Sequence, residues 1–270
     1  MKRLLFIVSL LFAVSFVPKL IAAPIPLDLS IIASNSFGDD SVAGNGDVNH
    51  NSIMSILQGG ILSQSSVNDT NVTGTNPLAG QLTDINDGIA IDAELSAGAS
   101  GFAEGYFFDF NFALQNNSLT TTYLLSFVLL FDNLTSASGG DAFADSKILL
   151  FDADNSELFF SDLVTDTWFG DQNNGALTNT FGVTQTDSGS FAFDILLSAG
   201  AVNNFTGEVH LVGGEFSGQG AFGINSSVSL SLVAARPQDT PPPQIPLPAS
   251  SWFFGLGLFF VVQRQLRKLP

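Results

Sequence analysis

Phenylalanine and other apolar residues return at every second position in several segments of this chain, and a period of two limits what those segments can become. Phe108-Asp-Phe110-Asn-Phe112 is the clearest case. On a helix these rings would spread around the axis. On a strand, successive side chains point to opposite faces, so all three share one side. Phe102 and Tyr106 extend that side. Ile89-Ala-Ile91-Asp-Ala93-Glu-Leu95, Phe191-Ala-Phe193-Asp-Ile195-Leu-Leu197 and Val228-Ser-Leu230-Ser-Leu232 alternate in the same way. Tyr123 to Phe131 is apolar throughout except for Ser126, which predicts a central strand covered on both faces.

Shorter strands are expected at 27–32, 147–151, 158–163 and 205–212, and the last spans 222–233. Residues 53–62 suit a short strand or a helix. The stretch 34–52, SNSFGDDSVAGNGDVNHNS, reads as loop, because Gly and short polar side chains favour turns. The whole of 24–87 is accordingly read as loop-rich. About eight strands separated by Gly, Asn and Asp, with no run at helical spacing, predict an all-β fold. A β-sandwich is the expected architecture, with a jelly roll as one arrangement of it. The chain has no cysteine, so its 26 phenylalanines must supply the cohesion that disulfides would otherwise add.

The two ends read differently from the body. Residues 1–23 open with Lys2 and Arg3, continue through an apolar run from Leu4 to Val17, and close on Ala22 and Ala23 ahead of Pro24. At about 14 residues the run falls short of the roughly 20 that a spanning helix needs, and the pattern predicts a cleaved export signal. Residues 236–244 begin RPQDTPPP, a proline-rich linker that should be extended. The remaining tail, 245–270, combines a proline-bearing turn, an apolar segment at 252–262 and a basic end. As a helix that apolar segment is about 16 Å long, against a hydrocarbon core of about 30 Å. It suits transient holding at a membrane better than permanent anchorage. The expected ectodomain is therefore 24–235.

Charge sharpens once the ends are set aside. Between 24 and 244 only Lys147 and Arg236 stand against all 25 acidic residues, a formal net charge of −23. Such a body repels phosphate backbones, which excludes nucleic acid as a partner.

The tail resembles the C-terminal signal of the PEP-CTERM family of exported bacterial proteins, in its VPLPA-type form. The residues that carry the resemblance are Ile245-Pro246-Leu247-Pro248-Ala249, Trp252, Gly255, Gly257 and the basic Arg264, Arg267 and Lys268. Ile245 stands where that family usually has Val, and the basic residues are spread over 264–268 instead of forming a tight run. The resemblance implies recognition by an exosortase, a membrane-embedded processing enzyme, with brief residence in the inner membrane. It also implies delivery to the surface or matrix of a cell that makes exopolysaccharide. It covers 26 of 270 residues and implies nothing about the fold of the body.

The body carries no catalytic signature. There is no G-x-S-x-G elbow and no phosphate-binding glycine loop in a strand–helix setting. His50 and His210 are the only histidines. Glu208 and His210 share a strand face, but a zinc site needs three or four ligands. The pairs Asp92/Glu94 and Asp152/Asp154 have the residue types of glycosidase chemistry, yet close pairs are expected by chance among so many acids. No cofactor is expected. Calcium is the inorganic alternative, through Asp152-Ala-Asp154-Asn155-Ser156-Glu157 or the cluster Asp39, Asp40, Asn45 and Asp47, neither in EF-hand register. Trp168 is read first as core and second, together with Phe169, as a ring that stacks on a sugar. The expected role is a non-catalytic surface or matrix component that binds exopolysaccharide. The alternatives are an extracellular polysaccharide hydrolase and a retained membrane-anchored structural protein.

Overall fold

The computed structural model describes residues 23–39, 48–98 and 101–238. Among them every regular element is a β-strand. In chain order these are β1 (Leu29–Asp39), β2 (Val48–Gln58), β3 (Ile61–Asn68), β4 (Asn71–Thr73), β5 (Leu78–Gln81), β6 (Gly88–Ala97), β7 (Phe102–Asn116), β8 (Tyr123–Ser138), β9 (Ala142–Phe151), β10 (Glu157–Asp166), β11 (Gln172–Asn173), β12 (Ala176–Leu177), β13 (Gln185–Leu197), β14 (Val202–Glu215) and β15 (Ala221–Pro237). They form two antiparallel sheets packed face to face as a jelly-roll-like sandwich. One sheet runs β12-β11-β10-β9-β14-β7-β1-β5 and the other β13-β8-β15-β6-β2-β3-β4.

Alternation sets which side faces inward. Phe108, Phe110 and Phe112 of β7 are all buried, while Asp109 and Asn111 between them face out. Phe112 stacks on Phe205 of β14 with ring centroids 4.7 Å apart. Phe127 comes from β8 in the opposite sheet and meets Phe112 at 5.7 Å and Phe205 at 4.9 Å, both edge to face. Phe193 of β13 closes the group against Phe127 at 5.5 Å. Burying each such side chain contributes about 1.5–3 kcal/mol, and each ring pair about 0.5–1.5 kcal/mol more. One glycine makes room for this packing. A Cβ on Gly207 of β14 would lie 2.0 Å from the Phe110 ring and 2.5 Å from the Leu149 carbonyl oxygen.

Polar residues also cross between the sheets. Asn133 of β8 donates to the Ser146 carbonyl and to the Ser161 hydroxyl, at 3.3 and 3.2 Å. Its own carbonyl oxygen accepts from the Ser226 hydroxyl at 2.8 Å, and that hydroxyl meets Ser146 Oγ at 2.6 Å. All four residues are fully buried.

Three expectations need correction. Residues 34–39 and 48–52, read as loop, belong to β1 and β2, and the loop-rich 24–87 holds five strands. Three of their inward positions are filled by polar residues, which hides the period of two: Asn35, His50 and Ser52 are buried. Asn35 donates to the Ser55 carbonyl at 3.2 Å. His50 lies 4.1 Å from the Tyr106 ring and contacts the Asp69 carbonyl through Nδ1 and Ser52 Oγ through Nε2, each at 2.7 Å. A carbonyl only accepts, so Nδ1 carries the proton and Nε2 accepts the hydroxyl. Residues 53–62 are neither one strand nor a helix, because Gly59 and Gly60, at φ +55° and +76°, turn the chain from β2 into β3. Finally, β8 is not covered on both faces. It lies one strand from the sheet edge, and Leu130 on its outer face is 53% exposed.

The export signal (save Ala23), the tail 245–270 with its apolar segment 252–262, and residues 239–244 of the linker lie outside the described residues. Arg236 and Pro237, assigned to the linker, close β15. Among the described residues no helix is long and apolar enough to cross a membrane.

Candidate functional site

Among the described residues, the most exposed aromatic side chains lie on the turn that leaves β10. Asp166 Oδ1 accepts from the backbone N–H groups of Trp168 and Phe169, both at 2.7 Å. Aspartate favours this local turn because its short carboxylate reaches the amides two and three residues on. Asp171 holds the far side of the turn. It is fully buried, and its carboxylate accepts from the N–H groups of Asp166, Gly182 and Val183 at 2.9, 2.9 and 3.0 Å. Thr167 ties the middle to the body, with its N–H on the Ala142 carbonyl and its hydroxyl oxygen accepting from Ala142 N–H.

The outcome reverses the first reading of Trp168, which is 67% exposed and not core, and Phe169 beside it is 81% exposed. Asp171 fills the space beneath the turn, and the amides pinned to Asp166 aim both side chains away from the sheet. Phe181, 61% exposed, flanks Gly170. Trp168 and Phe169 thus stand exposed on a turn whose amides are held by two carboxylates, with the exposed Phe181 beside Gly170.

A second feature is a concavity of about 490 Å³ on the outer face of the β13-to-β4 sheet. Asn51, Ile53, Asn68, Asp92, Glu94 and Asn225 line it. The sequence pair Asp92/Glu94 therefore opens onto a shallow groove. The pair Asp152/Asp154 lines another concavity, of about 300 Å³, beside Asp194 and Asn203.

No protein-family model matches this chain, and no curated protein does. Among solved structures, the chain is similar to that of the infectious bursal disease virus Gt strain at 11% identity, covering 89% of this chain and 75% of that one, with a TM-score of 0.18. The VP2 subviral particle of the same virus gives 10% identity, coverages of 87% and 74%, and a TM-score of 0.17. The vicilin of Solanum melongena gives 9%, coverages of 83% and 75%, and a TM-score of 0.09. Likeness at these TM-scores carries no argument about fold or function.

A group of charged residues lies on the outer face of the other sheet. Glu208 and His210 point out from β14, and His210 sits between Lys147 of β9 and Phe107 of β7 in register. Lys147 lies 3.6 Å from Asp145. Asp162 of β10 is the register partner of Lys147 on its other side. Among the described residues no three His, Asp or Glu side chains come together as metal ligands. The Asp152 loop spends its carboxylate on itself, since Oδ1 accepts from the N–H groups of Asp154 and Ser156 at 2.9 and 2.8 Å. Of the other calcium candidate, Asp39 ends β1 while Asp40, Asn45 and Asp47 lie outside the described residues.

Burial pushes the Asp145 carboxyl above its ordinary 3.8, Lys147 and His210 pull it down, and Asp162 adds to the rise. The folded state therefore holds this proton more tightly than the unfolded chain does. Stability is lost as pH climbs from the ordinary carboxyl range through the raised value, and the loss is complete above it. Asp145→Asn removes that loss. Thermal melts should show the variant more stable than the parent at neutral pH, with the gap closing below about pH 4. A gap independent of pH would contradict this account.

Proposed function

We propose that this chain is an exported, exosortase-processed surface or extracellular-matrix protein whose folded body is non-catalytic and binds exopolysaccharide through the Trp168–Phe169 turn. The observation that carries the reading is the pair of exposed rings on a turn whose amides are held by Asp166 and Asp171. Flat apolar rings with a polar surround suit the C–H faces of sugar rings, and bracing the turn beforehand lowers the entropy lost on binding. The resemblance of the tail to the PEP-CTERM signal supports the export route.

A hydrolase would ask for two carboxyls facing across a cleft, one kept protonated. Asp109 and Asp145, the carboxyls that burial raises, stand on an open sheet face and line neither concavity. That placement favours binding over catalysis.

Retention of the protein on exopolysaccharide from its host tests the turn. The double variant Trp168→Ala/Phe169→Ala should bind at least about tenfold more weakly, the equivalent of about 1.4 kcal/mol from lost stacking. Equal retention of parent and variant would remove the turn from the reading. Mass spectrometry of the mature protein with cell fractionation tests the ends. The expectation is loss of the export signal and of the tail beyond the 245–249 turn, with the body at the surface. An intact tail in the membrane fraction would favour the anchored alternative.

A further inference from the structure

We propose that the groove on the outer face of the β13-to-β4 sheet is a second binding site, for a neutral polyhydroxylated chain laid across the strands. It is separate from the Trp168–Phe169 turn, and either can bind without the other.

The register builds the site. Asn68 of β3 pairs with Asn51 of β2, Asn51 with Glu94 of β6, and Glu94 with Asn225 of β15. These four outward side chains form one row over four neighbouring strands. Ser66, Ile53, Asp92 and Ser227 form the parallel row two residues along. With strands about 4.8 Å apart, each row runs about 14 Å across the sheet. That is long enough to meet several units of a chain rather than a single small molecule.

Chemistry points to hydroxyl groups as the ligand. Asn68 Nδ2 donates to Asn51 Oδ1 at 2.7 Å, and Asn51 Nδ2 donates to Asn49 Oδ1 at 2.9 Å. This relay fixes which end of each amide faces where, so little side-chain freedom remains to be lost on binding. Amides offer both donors and acceptors, and Asp92 and Glu94 add acceptors only. A hydroxyl is the ligand group that can answer both kinds with one atom. Ile53, 42% exposed among these polar groups, adds an apolar spot for the C–H surface that a sugar carries beside its hydroxyls. The concavity, at about 490 Å³, is of the size that holds small ligands.

Charge selects among hydroxylated chains. Two carboxylates in the groove, on a body of formal charge −23, repel uronates and phosphorylated sugars. A neutral chain meets no such opposition.

The test uses the full chain, titrated with neutral gluco- and manno-oligosaccharides and with an oligogalacturonate of matched length. Three proteins are compared: the parent, Asn51→Ala/Glu94→Ala and Trp168→Ala/Phe169→Ala. Asn51 and Glu94 are exposed, so their removal should leave the melting temperature unchanged, and a parallel melt checks this. Saturable binding of a neutral oligosaccharide is expected in the parent and in the turn variant. It should weaken about tenfold or more in the groove variant, which loses two hydrogen-bonding side chains from the row. Galacturonate should bind more weakly than either neutral series. The inference is overturned if no neutral oligosaccharide binds the parent or if galacturonate binds best. It is equally overturned if the groove variant binds as the parent does. Binding abolished only in the turn variant would refute the groove, whereas binding weakened only in the groove variant supports the groove and leaves the turn to the separate retention experiment on host exopolysaccharide.

Discussion

Replacing Phe127 by alanine is expected to cost the body about 3–5 kcal/mol of stability. The ring is fully buried and is the hub of the inter-sheet group, touching Phe112, Phe193 and Phe205. Its removal takes away transfer energy, three ring contacts and the filling of a space that two sheets cannot easily close. Urea unfolding would report the loss as a lower midpoint with little change in slope. Phe169→Ala is the matched control, because that ring is 81% exposed and its loss should stay within about 0.5 kcal/mol. Equal effects of the two substitutions would mean that the phenylalanines do not hold the sheets together.

Gly207→Ala should be nearly as damaging although it adds a single methyl group. Its Cβ would stand 2.0 Å from Phe110 Cζ, 2.4 Å from Phe110 Cε2 and 2.5 Å from the Leu149 carbonyl oxygen. The ring could turn only into a filled core, and the carbonyl belongs to the neighbouring strand, so both must move. Overpacking of this kind costs about 1–3 kcal/mol, and the rigid carbonyl places this site at the upper end. A second substitution separates this cause from simple loss of strand pairing. Phe110→Leu shortens the offending side chain, so the double variant should recover part of the stability lost by Gly207→Ala alone. Strictly additive losses would show that ring and methyl do not collide.

How far the sequence reveals this fold depends on what occupies the inward positions. Where phenylalanine, leucine or isoleucine fills them, as at Phe108, Phe110, Phe112 and 89–95, the strand and its buried face are both legible. The second half of β1 and the first half of β2 are hidden because Asn35, His50 and Ser52 look like surface residues. Asn35 and His50 are buried with partners from distant parts of the chain, Ser55 for Asn35 and Asp69 for His50. No local pattern contains those partners. Trp168 fails for a related reason. Its exposure depends on Asp171 reaching Gly182 and Val183, eleven and twelve residues later. The Asp92/Glu94 pair was visible, but the groove around it was not, because Asn51, Asn68 and Asn225 arrive through strand register. The outward character of Glu208 and His210 did follow from alternation alone.

The buried hydroxyl and amide group of Asn133, Ser146, Ser161 and Ser226 bears on a different property from strength. Two greasy sheets can slip past each other by one side-chain pair and lose little cohesion, since phenylalanine meets phenylalanine again at the next step. An amide pinned between two hydroxyls and a backbone carbonyl has no such neighbouring position, because any slippage strands polar atoms in oil at about 1–3 kcal/mol apiece. The aromatic interior glues the layers, whereas this small wet-chemistry latch chooses which of several near-equivalent stackings becomes the native one.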